Sequence, residues 1–494
     1  MKKREINERF CIPKKDGTYK LNKEECIYEC SEEYFVYRTD SQEKYAVVKK
    51  DDTVKEYDVE GTEFKHEVRN FLREKSGLNN IDNSTLKAVI EYLSDKAFTE
   101  QEKTLTSRAH YDSKNNRVLI DYCDGKNALS ISKDGIEKIV KPVGVFQTYS
   151  TDLPQVKYVA EKPEELPRLL KKITRMKDED ILILATYICV CLFGNSKPIP
   201  ILFLTGPQGS AKTSTSRYVQ RIIDPNTGGL FSLSDSKKDI AIAVSKRLLC
   251  VFDNTGGLKK KKAISDLLCT IVTKGAMNTR KLYTTKDEAL IHYRSALIVN
   301  GIDYFPSEID LLERCLMVEM PEISVDERKT EAEMERVFNS ILPSILGAVY
   351  AVIEKVLGMA DVEVSQLSRM ADYESLSAKC AVAMGYTVEK YQKIIKDNIT
   401  NMHRAFLRED ITVRGIELFM GNSTMKKGSM SKMQMNCYNA LTGAVCKSEQ
   451  NQFPKSGQAF SRKVHGLKKQ LEMLGITYTE RETNKFTEIT FYRN

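Results

Sequence analysis

The sequence has little histidine, one of the residues that build metal centres. Only five histidines occur among 494 residues, and they are scattered. Cys26 and Cys30 have no second pair of Cys or His at the spacing of zinc ligands, which argues against a structural metal. Cys189 and Cys250 stand inside apolar stretches, where a free thiol behaves as a small hydrophobic group. We therefore expect reduced cysteines and no zinc.

Long apolar runs are also missing. The longest run, Ile181 to Phe193, is too short to cross a bilayer and predicts a buried helix. The N-terminus is basic but no apolar segment follows it, so a secretory signal is not expected. Internal repeats and low-complexity tracts are absent too. These absences predict a cytoplasmic globular protein without a membrane partner.

The composition, 41% hydrophobic and 29% charged, predicts about three domains at this length. Residues 1–155 alternate strand-like and helical stretches, as in an α+β domain. The polar stretch from Lys157 to Lys177 contains two prolines and predicts a linker. Short apolar runs that suit parallel strands covered on both faces then follow, and they predict an α/β fold. These runs are Pro198–Thr205, Leu248–Phe252, Ser295–Val299 and Cys315–Glu319.

A glycine-rich loop stands between the first of these runs and a helical segment. This is the setting of a P-loop, whose backbone N–H groups and helix N-terminus stabilise a triphosphate. Lys212 is expected to reach the β and γ phosphates, and Thr213 to bind Mg²⁺ through its hydroxyl. Ala211 replaces a glycine of the pattern and restricts the loop if its φ is positive. The residues expected to bind ATP are Gly206, Pro207, Gln208, Gly209, Ser210, Ala211, Lys212, Thr213 and Ser214. The alternative is a glycine-rich turn that binds no nucleotide.

The second apolar run ends in Asp253, a carboxylate at the edge of the sheet where the loop lies. An acid at this position can hold the Mg²⁺. Asn254 follows it, where many AAA+ enzymes have a glutamate; an amide can align water but cannot take its proton. The general base therefore stays open, with Asp287 and Glu288 as distant candidates.

Two further polar residues have expected catalytic roles. Asn300 ends the third run, where a sensor residue would contact the γ phosphate or the attacking water; a turn-forming Asn-Gly is the alternative. Arg314 precedes the fourth run and fits an arginine finger, which would enter the site of a neighbouring subunit. The alternative is a surface arginine paired with Glu313 or Asp310.

These segments together resemble the helicase part of the primase-helicases of phages and integrative elements. That group is similar to the superfamily III and minichromosome-maintenance-like helicases, including replication initiators of staphylococcal islands. The segments that carry the resemblance are Asp253-Asn254, Ile264–Cys269, Arg280–Thr284, Asp287-Glu288, Ile298–Ile302, Asp310–Arg314 and Arg369–Tyr373.

The resemblance implies an AAA+ ATPase domain over residues 156–365 and a helical lid or linker over 366–425. It also implies a hairpin from Lys281 to His292 that projects into the channel of a ring, where Lys286 would touch DNA phosphates. An ordinary hairpin with a solvated lysine is the alternative reading of those residues. Arg369 is a possible second sensor. Because no paired-carboxylate motif of primases is present, no primer synthesis is expected.

Residues 426–494 read as a winged helix-turn-helix. From Ile411 onward the chain has 13 Lys and Arg against 6 Glu and no Asp, a net +7, and such a region attracts DNA phosphates. A single helix is predicted from Ser456 to Gly475, followed by the strands Ile476–Arg481 and Phe486–Tyr492. The expected DNA contacts are Arg462, Lys463, Lys468, Lys469 and Lys485. A winged helix that binds protein is the alternative.

The sequence therefore predicts an ATP- and Mg²⁺-dependent DNA helicase or replication initiator. It would assemble as a homo-hexamer with single-stranded DNA in its channel and duplex or origin DNA at its C-terminal domain. Two alternatives stay open. One is an AAA+ DNA-dependent ATPase that remodels protein–DNA complexes or senses DNA in defence, and the other is a non-enzymatic origin-binding protein.

Overall fold

The protein has a mixed α/β architecture with a five-stranded parallel sheet in the middle of the chain, as the sequence predicts. A computed structural model describes residues 6–39, 43–50, 53–100, 102–194, 197–232, 236–253, 262–280, 288–301, 309–365, 367–482 and 486–493.

The N-terminal part combines short antiparallel strands with three helices. Its elements are β1 (Cys11–Pro13), β2 (Tyr19–Leu21), α1 (Lys23–Glu33), β3 (Phe35–Arg38), β4 (Lys44–Lys50), β5 (Thr53–Asp58), α2 (Thr62–Ser76) and α3 (Asn83–Thr99). Strands β3, β4 and β5 form one sheet. Phe64, Val68 and Leu72 recur every four residues of α2 and are all buried, so the helix packs one face against the core. Helix α3 begins where the Asp82 carboxylate accepts the Thr85 N–H at 2.8 Å.

A second antiparallel sheet follows, made of β6 (Ala109–Asp112), β7 (Arg117–Asp121), β8 (Asn127–Ser132) and β9 (Gly135–Val140). Val118 and Ile120 of this sheet belong to the same hydrophobic cluster as the parallel sheet, and so do Tyr373 and Met402. The cluster thus runs across the predicted boundaries at 155/156 and 365/366. The domain limits themselves stay predictions.

A buried ion pair ties this second sheet to the parallel one. Nε of Arg108 lies 3.1 Å from Oδ1 of Asp224, and the two side chains are 1% and 4% exposed. Arg108 also donates to the carbonyls of Leu153 and Pro225, both at 2.9 Å. The second carboxylate oxygen of Asp224 accepts the N–H of Leu248 at 3.0 Å. One carboxylate therefore joins the N-terminal sheet to two elements of the central fold.

The predicted linker is packed into the protein. It contains α4 (Glu165–Lys171), whose three leucines are buried. The Val159 N–H donates to the Pro343 carbonyl at 2.9 Å. A side chain at Gly347 would meet the Val159 carbonyl oxygen at 1.7 Å. The stretch therefore packs directly against the long helix that contains Pro343 and Gly347. Its polar residues come from the one side that is exposed to solvent.

The parallel sheet has the strand order β11–β12–β15–β10–β16. The elements around it are α5 (Asp178–Leu192), β10 (Ile201–Thr205), α6 (Lys212–Ile223), β11 (Phe231–Ser232), α7 (Lys237–Ser245), β12 (Leu249–Asp253), α8 (Lys262–Val272), β13 (Ala276–Arg280), β14 (Glu288–His292), β15 (Ala296–Gly301), α9 (Ile309–Leu312) and β16 (Cys315–Glu319). The four predicted strands and the buried helix α5 are confirmed. Strand β11 was not predicted, because two residues carry no periodicity.

Three long helices follow: α10 (Glu331–Gly358), α11 (Ala371–Ala383) and α12 (Val388–Glu409). Helix α10 begins with a capping box between Thr330 and Glu333. It is long and apolar enough to cross a membrane, but 61% of its most apolar window is buried inside the protein. Such burial is typical of the core helix of a globular protein.

The C-terminal part has its own core. Its elements are α13 (Ile411–Met420), β17 (Met425–Ser429), α14 (Met430–Ala440), α15 (Lys447–Gln450), α16 (Gly457–Gly466), α17 (Lys468–Met473), β18 (Ile476–Glu482) and β19 (Thr487–Arg493). The two predicted strands are present, with β19 in the centre of the sheet between β17 and β18.

The single helix predicted from Ser456 to Gly475 is wrong, because the helix breaks at Leu467. Gly466, a weak helix former, stands before the break. Val464 before the break and Leu471 after it are both buried. The apolar spacing that suggested one helix is therefore shared by two.

Candidate functional sites

The glycine-rich loop joins the buried end of β10 to α6. Gly206 has a φ of 152°, and a Cβ there would lie 2.3 Å from the Met320 carbonyl oxygen. Gly209 also has a positive φ, 79°. Ala211 has a φ of 60° and stands at the N-cap of α6. Ala211 therefore has the positive φ that restricts the loop. An alanine in this left-handed conformation costs about 1–2 kcal/mol.

Lys212 points its ammonium group back into the loop. Nζ donates to the carbonyls of Gly206 and Pro207, both at 2.7 Å, and to the Ser210 hydroxyl at 3.2 Å. Partial burial lowers the pKa of Lys212, and the carboxylate of Asp253 opposes this shift. A cation thus stands at the centre of a loop whose helix N-terminus favours anions.

Thr213 and Asp253 meet beside this cation. The Thr213 hydroxyl lies 3.1 Å from Oδ2 of Asp253 and 3.3 Å from Oδ1. Mg²⁺ holds oxygen ligands at about 2.0–2.1 Å in an octahedron, so neighbouring ligands lie about 3 Å apart. The hydroxyl and the carboxylate therefore fit adjacent positions around one Mg²⁺. Among the described residues, no group of three or more His, Cys, Asp or Glu is placed to hold a metal ion by itself.

Asn300 lies between the strands that carry the loop and the carboxylate. Its strand, β15, pairs with β10 on one side and β12 on the other, and Asn300 is opposite Leu204. Its Nδ2 donates to the Ser216 hydroxyl at 3.1 Å, and the residue is 1% exposed. Asn300 thus contacts α6 one turn beyond Thr213. Asn254 and Asp287 lie outside the described residues, as does the side chain of Glu288.

Arg314 is held within its own chain. Its Nη1 lies 2.7 Å from Oδ2 of Asp310 and 2.5 Å from the Asp310 carbonyl oxygen, and its side chain is 9% exposed. The hydrogen bond from Arg314 is the main reason that the pKa of Asp310 falls to about 2. The Asp310 side chain is 55% exposed, so only the arginine of this pair is buried. Arg314 thus makes the pairing with Asp310 that the sequence left open as the alternative, and its role as an arginine finger stays a prediction.

Arg369 binds the same carboxylate from outside. Its Nη1 lies 2.5 Å from Oδ1 of Asp310 and 3.0 Å from Oε2 of Glu313, and its side chain is 45% exposed. Exposed ion pairs of this kind contribute about 0–1 kcal/mol. Arg369 is therefore the arginine of this cluster that can change partner at small cost.

The Asp310 cluster and the glycine-rich loop lie at opposite edges of the sheet. Strand β16 runs parallel to β10, with Cys315 opposite Ile201 and Glu319 opposite Thr205. The loop follows Thr205, whereas the cluster precedes Cys315, so four residue steps, about 13 Å, separate the two edges. The role of Arg369 as a second sensor stays a prediction.

A cavity of about 640 Å³ adjoins the loop. Met320, Met334 and Tyr218 line its apolar part, and Ile173 and Arg175 belong to its wall. No pattern in the sequence indicates this cavity, because part of its wall comes from the stretch predicted as a linker. Its volume is in the usual range of small-molecule sites.

The expected channel hairpin is present as an antiparallel pair, but its strands are Ala276–Arg280 and Glu288–His292. The first strand thus begins before the predicted start at Lys281. Lys286 lies outside the described residues, and its predicted contact with DNA stays a prediction.

Among the expected DNA contacts of the C-terminal part, Arg462 and Lys463 have different neighbours. Arg462 lines an open groove of about 620 Å³ with Gln458, His465 and the exposed Phe486, three residues that the sequence reasoning missed. Lys463 instead lies 2.7 Å from the carboxylate of Asp410. Lys468 is exposed. The side chain of Lys469 and the whole of Lys485 lie outside the described residues. The groove could have been found only from how α14, α16 and β19 pack.

Comparison with known proteins gives one family match. Residues 168–401 match the model of actinomycete integrative conjugative element replication proteins. This match supports a replication function in a mobile element. No curated protein matches the sequence.

Solved structures similar to the chain include two apo forms of the C-terminal region of NrS-1. One, of residues 305–718, has a TM-score of 0.41 and 13% identity, and the alignment covers 95% of this chain and 98% of that one. The other, an A form, has a TM-score of 0.41 and 12% identity, with 95% and 99% coverage.

Proposed function

We propose that this chain is an AAA+ ATPase that binds Mg²⁺-ATP at the glycine-rich loop and uses its hydrolysis to unwind DNA during replication of a mobile element. The observation that carries the proposal is the convergence of Lys212, Thr213 and Asp253 at the carboxyl end of a parallel sheet. Ligands of open α/β sheets bind at this end. The family match over residues 168–401 supports the replication role.

Different residues of the loop bind different parts of the triphosphate. The ammonium group of Lys212 exchanges its carbonyl partners for β and γ phosphate oxygens, and the loop N–H groups and the start of α6 bind the remaining charge. Thr213 and Asp253 hold the metal ion. When bound, Mg²⁺ neutralises charge on the phosphate oxygens.

Asn300 and the neighbouring cavity orient the nucleotide. The amide of Asn300 fixes the Ser216 side of α6 and stands between the two strands that carry the charged residues. The cavity lined by Met320, Met334 and Tyr218 offers the apolar surface that a nucleobase requires. The base and the phosphates would then be held on adjoining sides of one loop.

Measurements of ATP turnover and strand separation test this proposal. Lys212→Ala should lower DNA-stimulated ATP turnover by at least about 100-fold, because the charge on the transferred phosphoryl group loses its main cationic partner. The matched control is Lys133→Ala, at a lysine whose side chain is 64% exposed in the N-terminal sheet, and this change should leave turnover intact. Unchanged turnover in Lys212→Ala would refute the nucleotide site. DNA-stimulated turnover without duplex opening in either polarity would refute the helicase.

The C-terminal part is proposed as a winged-helix module that binds duplex DNA, with α16 as the helix that faces it. Its net charge of +7 and the groove beside Arg462 support this role. Arg462→Ala should weaken DNA binding. It should also lower the slope of the binding constant against salt concentration, on logarithmic scales, by about one. Lys463→Ala, on the same helix but paired with Asp410, should change both much less. Equal effects of the two substitutions would refute the assignment of the DNA-facing side.

A further inference from the structure

A cavity of about 520 Å³ lies beside the edge strand β11 and helix α7. Phe252 lines it, and because side chains alternate along a strand, Phe252 and Asp253 point to opposite faces of the sheet. Cys250, on the same face as Phe252, donates from Sγ to the Ala243 carbonyl of α7 at 3.3 Å, so α7 covers that face. The cavity is therefore separate from the proposed ATP site, although strand β12 carries residues of both.

Aromatic rings and cations line this cavity together. Its described lining includes three aromatic residues, two cations and one carboxylate, namely Tyr149, Phe231, Phe252, Lys246, Arg247 and Asp239. Nζ of Lys246 lies 5.6 Å from the centre of the Tyr149 ring, and Cζ of Arg247 lies 5.2 Å from the centre of the Phe231 ring. Walls of this composition suit a ligand that is both planar and anionic.

The guanidinium of Arg247 has a donor left over. Its Nη1 is buried and has no hydrogen-bond partner in the described part of the chain. Buried polar groups are normally paired, so this N–H is a donor that an anion in the cavity can satisfy. Gly228 lies against the same group, and a Cβ there would be 2.3 Å from Nη2. The missing side chain at Gly228 thus makes room for the guanidinium.

Both sides of the cavity are held by hydrogen bonds to other segments. The Arg247 carbonyl accepts a hydrogen bond from the Ser295 hydroxyl at 2.7 Å. The Thr151 carbonyl, in the segment that carries Tyr149, accepts the Thr227 N–H at 2.8 Å. Walls fixed in this way lose little freedom when a ligand enters, which favours binding.

We propose that this cavity binds a free nucleoside monophosphate, with the base stacked on the Tyr149 ring and the phosphate on Arg247. The base takes the place of the Lys246 ammonium group over the ring, and that ammonium turns to the phosphate. A planar guanidinium binds phosphate oxygens through two parallel N–H groups. The volume of the cavity is in the range of small-molecule sites. Binding here does not require ATP hydrolysis at the glycine-rich loop.

Isothermal titration calorimetry of the full chain with the four ribonucleoside 5′-monophosphates tests the site. At least one of them should bind, and Arg247→Met should weaken that binding by about 10–100-fold, because charged hydrogen bonds to the phosphate are lost. Tyr149→Leu should weaken it by about 10-fold through loss of stacking. Tyr149→Phe keeps the ring and should bind as the wild type does.

Two further variants show where the monophosphate binds. Lys238→Ala is the matched control, because Lys238 is an exposed cation of α7 outside the cavity lining, and it should leave binding unchanged. Lys212→Ala alters the glycine-rich loop and should also leave binding unchanged. Gly228→Ala keeps the charge of Arg247 but displaces its guanidinium, so it should weaken binding even if Arg247→Met fails to fold, which circular dichroism would reveal.

The outcomes are separate from those of the ATP turnover assay. Binding that survives Lys212→Ala but falls in Arg247→Met and Gly228→Ala supports the site. Binding that is lost in Lys212→Ala and unchanged in Arg247→Met would place the ligand at the loop and overturn the proposal. Equal losses in Tyr149→Phe and Tyr149→Leu, or no binding of any monophosphate at up to about 1 mM, would also overturn it. Absence of ATP turnover in the wild type would refute only the proposed function.

Discussion

Replacing Arg108 with methionine removes the cationic partner of a carboxylate that is 4% exposed. The Asp224 carboxylate would keep only backbone N–H groups as partners, and the Leu153 and Pro225 carbonyls would each lose the hydrogen bond from Arg108, although Pro225 would still accept the Leu153 N–H. Removing one member of a buried ion pair costs about 3–5 kcal/mol, because the other charge stays buried without compensation. We therefore expect Arg108→Met to lower the free energy of unfolding by about this amount.

Urea unfolding followed by circular dichroism measures this loss, since the protein contains no tryptophan for fluorescence. The matched control is Arg117→Met in the same sheet, where the pair with Asp112 has side chains that are 36% and 17% exposed. The control should cost about 1 kcal/mol or less. In a double-mutant cycle, Arg108→Met combined with Asp224→Asn should cost clearly less than the sum of the two single changes. A loss below about 1 kcal/mol in Arg108→Met would refute the reasoning.

Three further changes test local features by the same unfolding measurement. Ala211→Gly should raise the free energy of unfolding by up to about 1 kcal/mol, because removing the strain of a left-handed alanine outweighs the added freedom of the unfolded chain. A lower free energy of unfolding would show that Ala211 is not strained. Gly347→Ala should lower the free energy of unfolding by at least about 1–3 kcal/mol, since its Cβ would overlap the Val159 carbonyl. An unchanged free energy of unfolding would mean that the segments of Gly347 and Val159 do not touch. Burial lowers the pKa of Lys274 to about 8 from 10.5, so the unfolded chain holds that proton to a higher pH than the folded one. Stability should then rise between about pH 8 and 10.5 relative to a Lys274→Met variant, by on the order of 3 kcal/mol, and parallel pH profiles of the two proteins would contradict this.

The sequence alone determined the strands of the central sheet and the loop after the first strand. Continuous apolar runs identify strands that are covered on both faces, and the spacing of glycine, lysine and threonine identifies the loop. The sequence also showed that Ala211 replaces a glycine of the pattern, which restricts the loop if its φ is positive. Local patterns of this kind report on residues close together in the chain, and these predictions needed nothing more.

Contacts between distant segments were decided only by the tertiary structure. The pairing of Arg369 with Asp310 and the pairing of Lys463 with Asp410 follow from packing. The cavity beside the loop likewise depends on a stretch that reads as a linker, because polar residues on one side of a segment hide the apolar contacts on the other. Burial and ion pairing join residues far apart in sequence, and no periodicity within one segment records which partner will be adjacent.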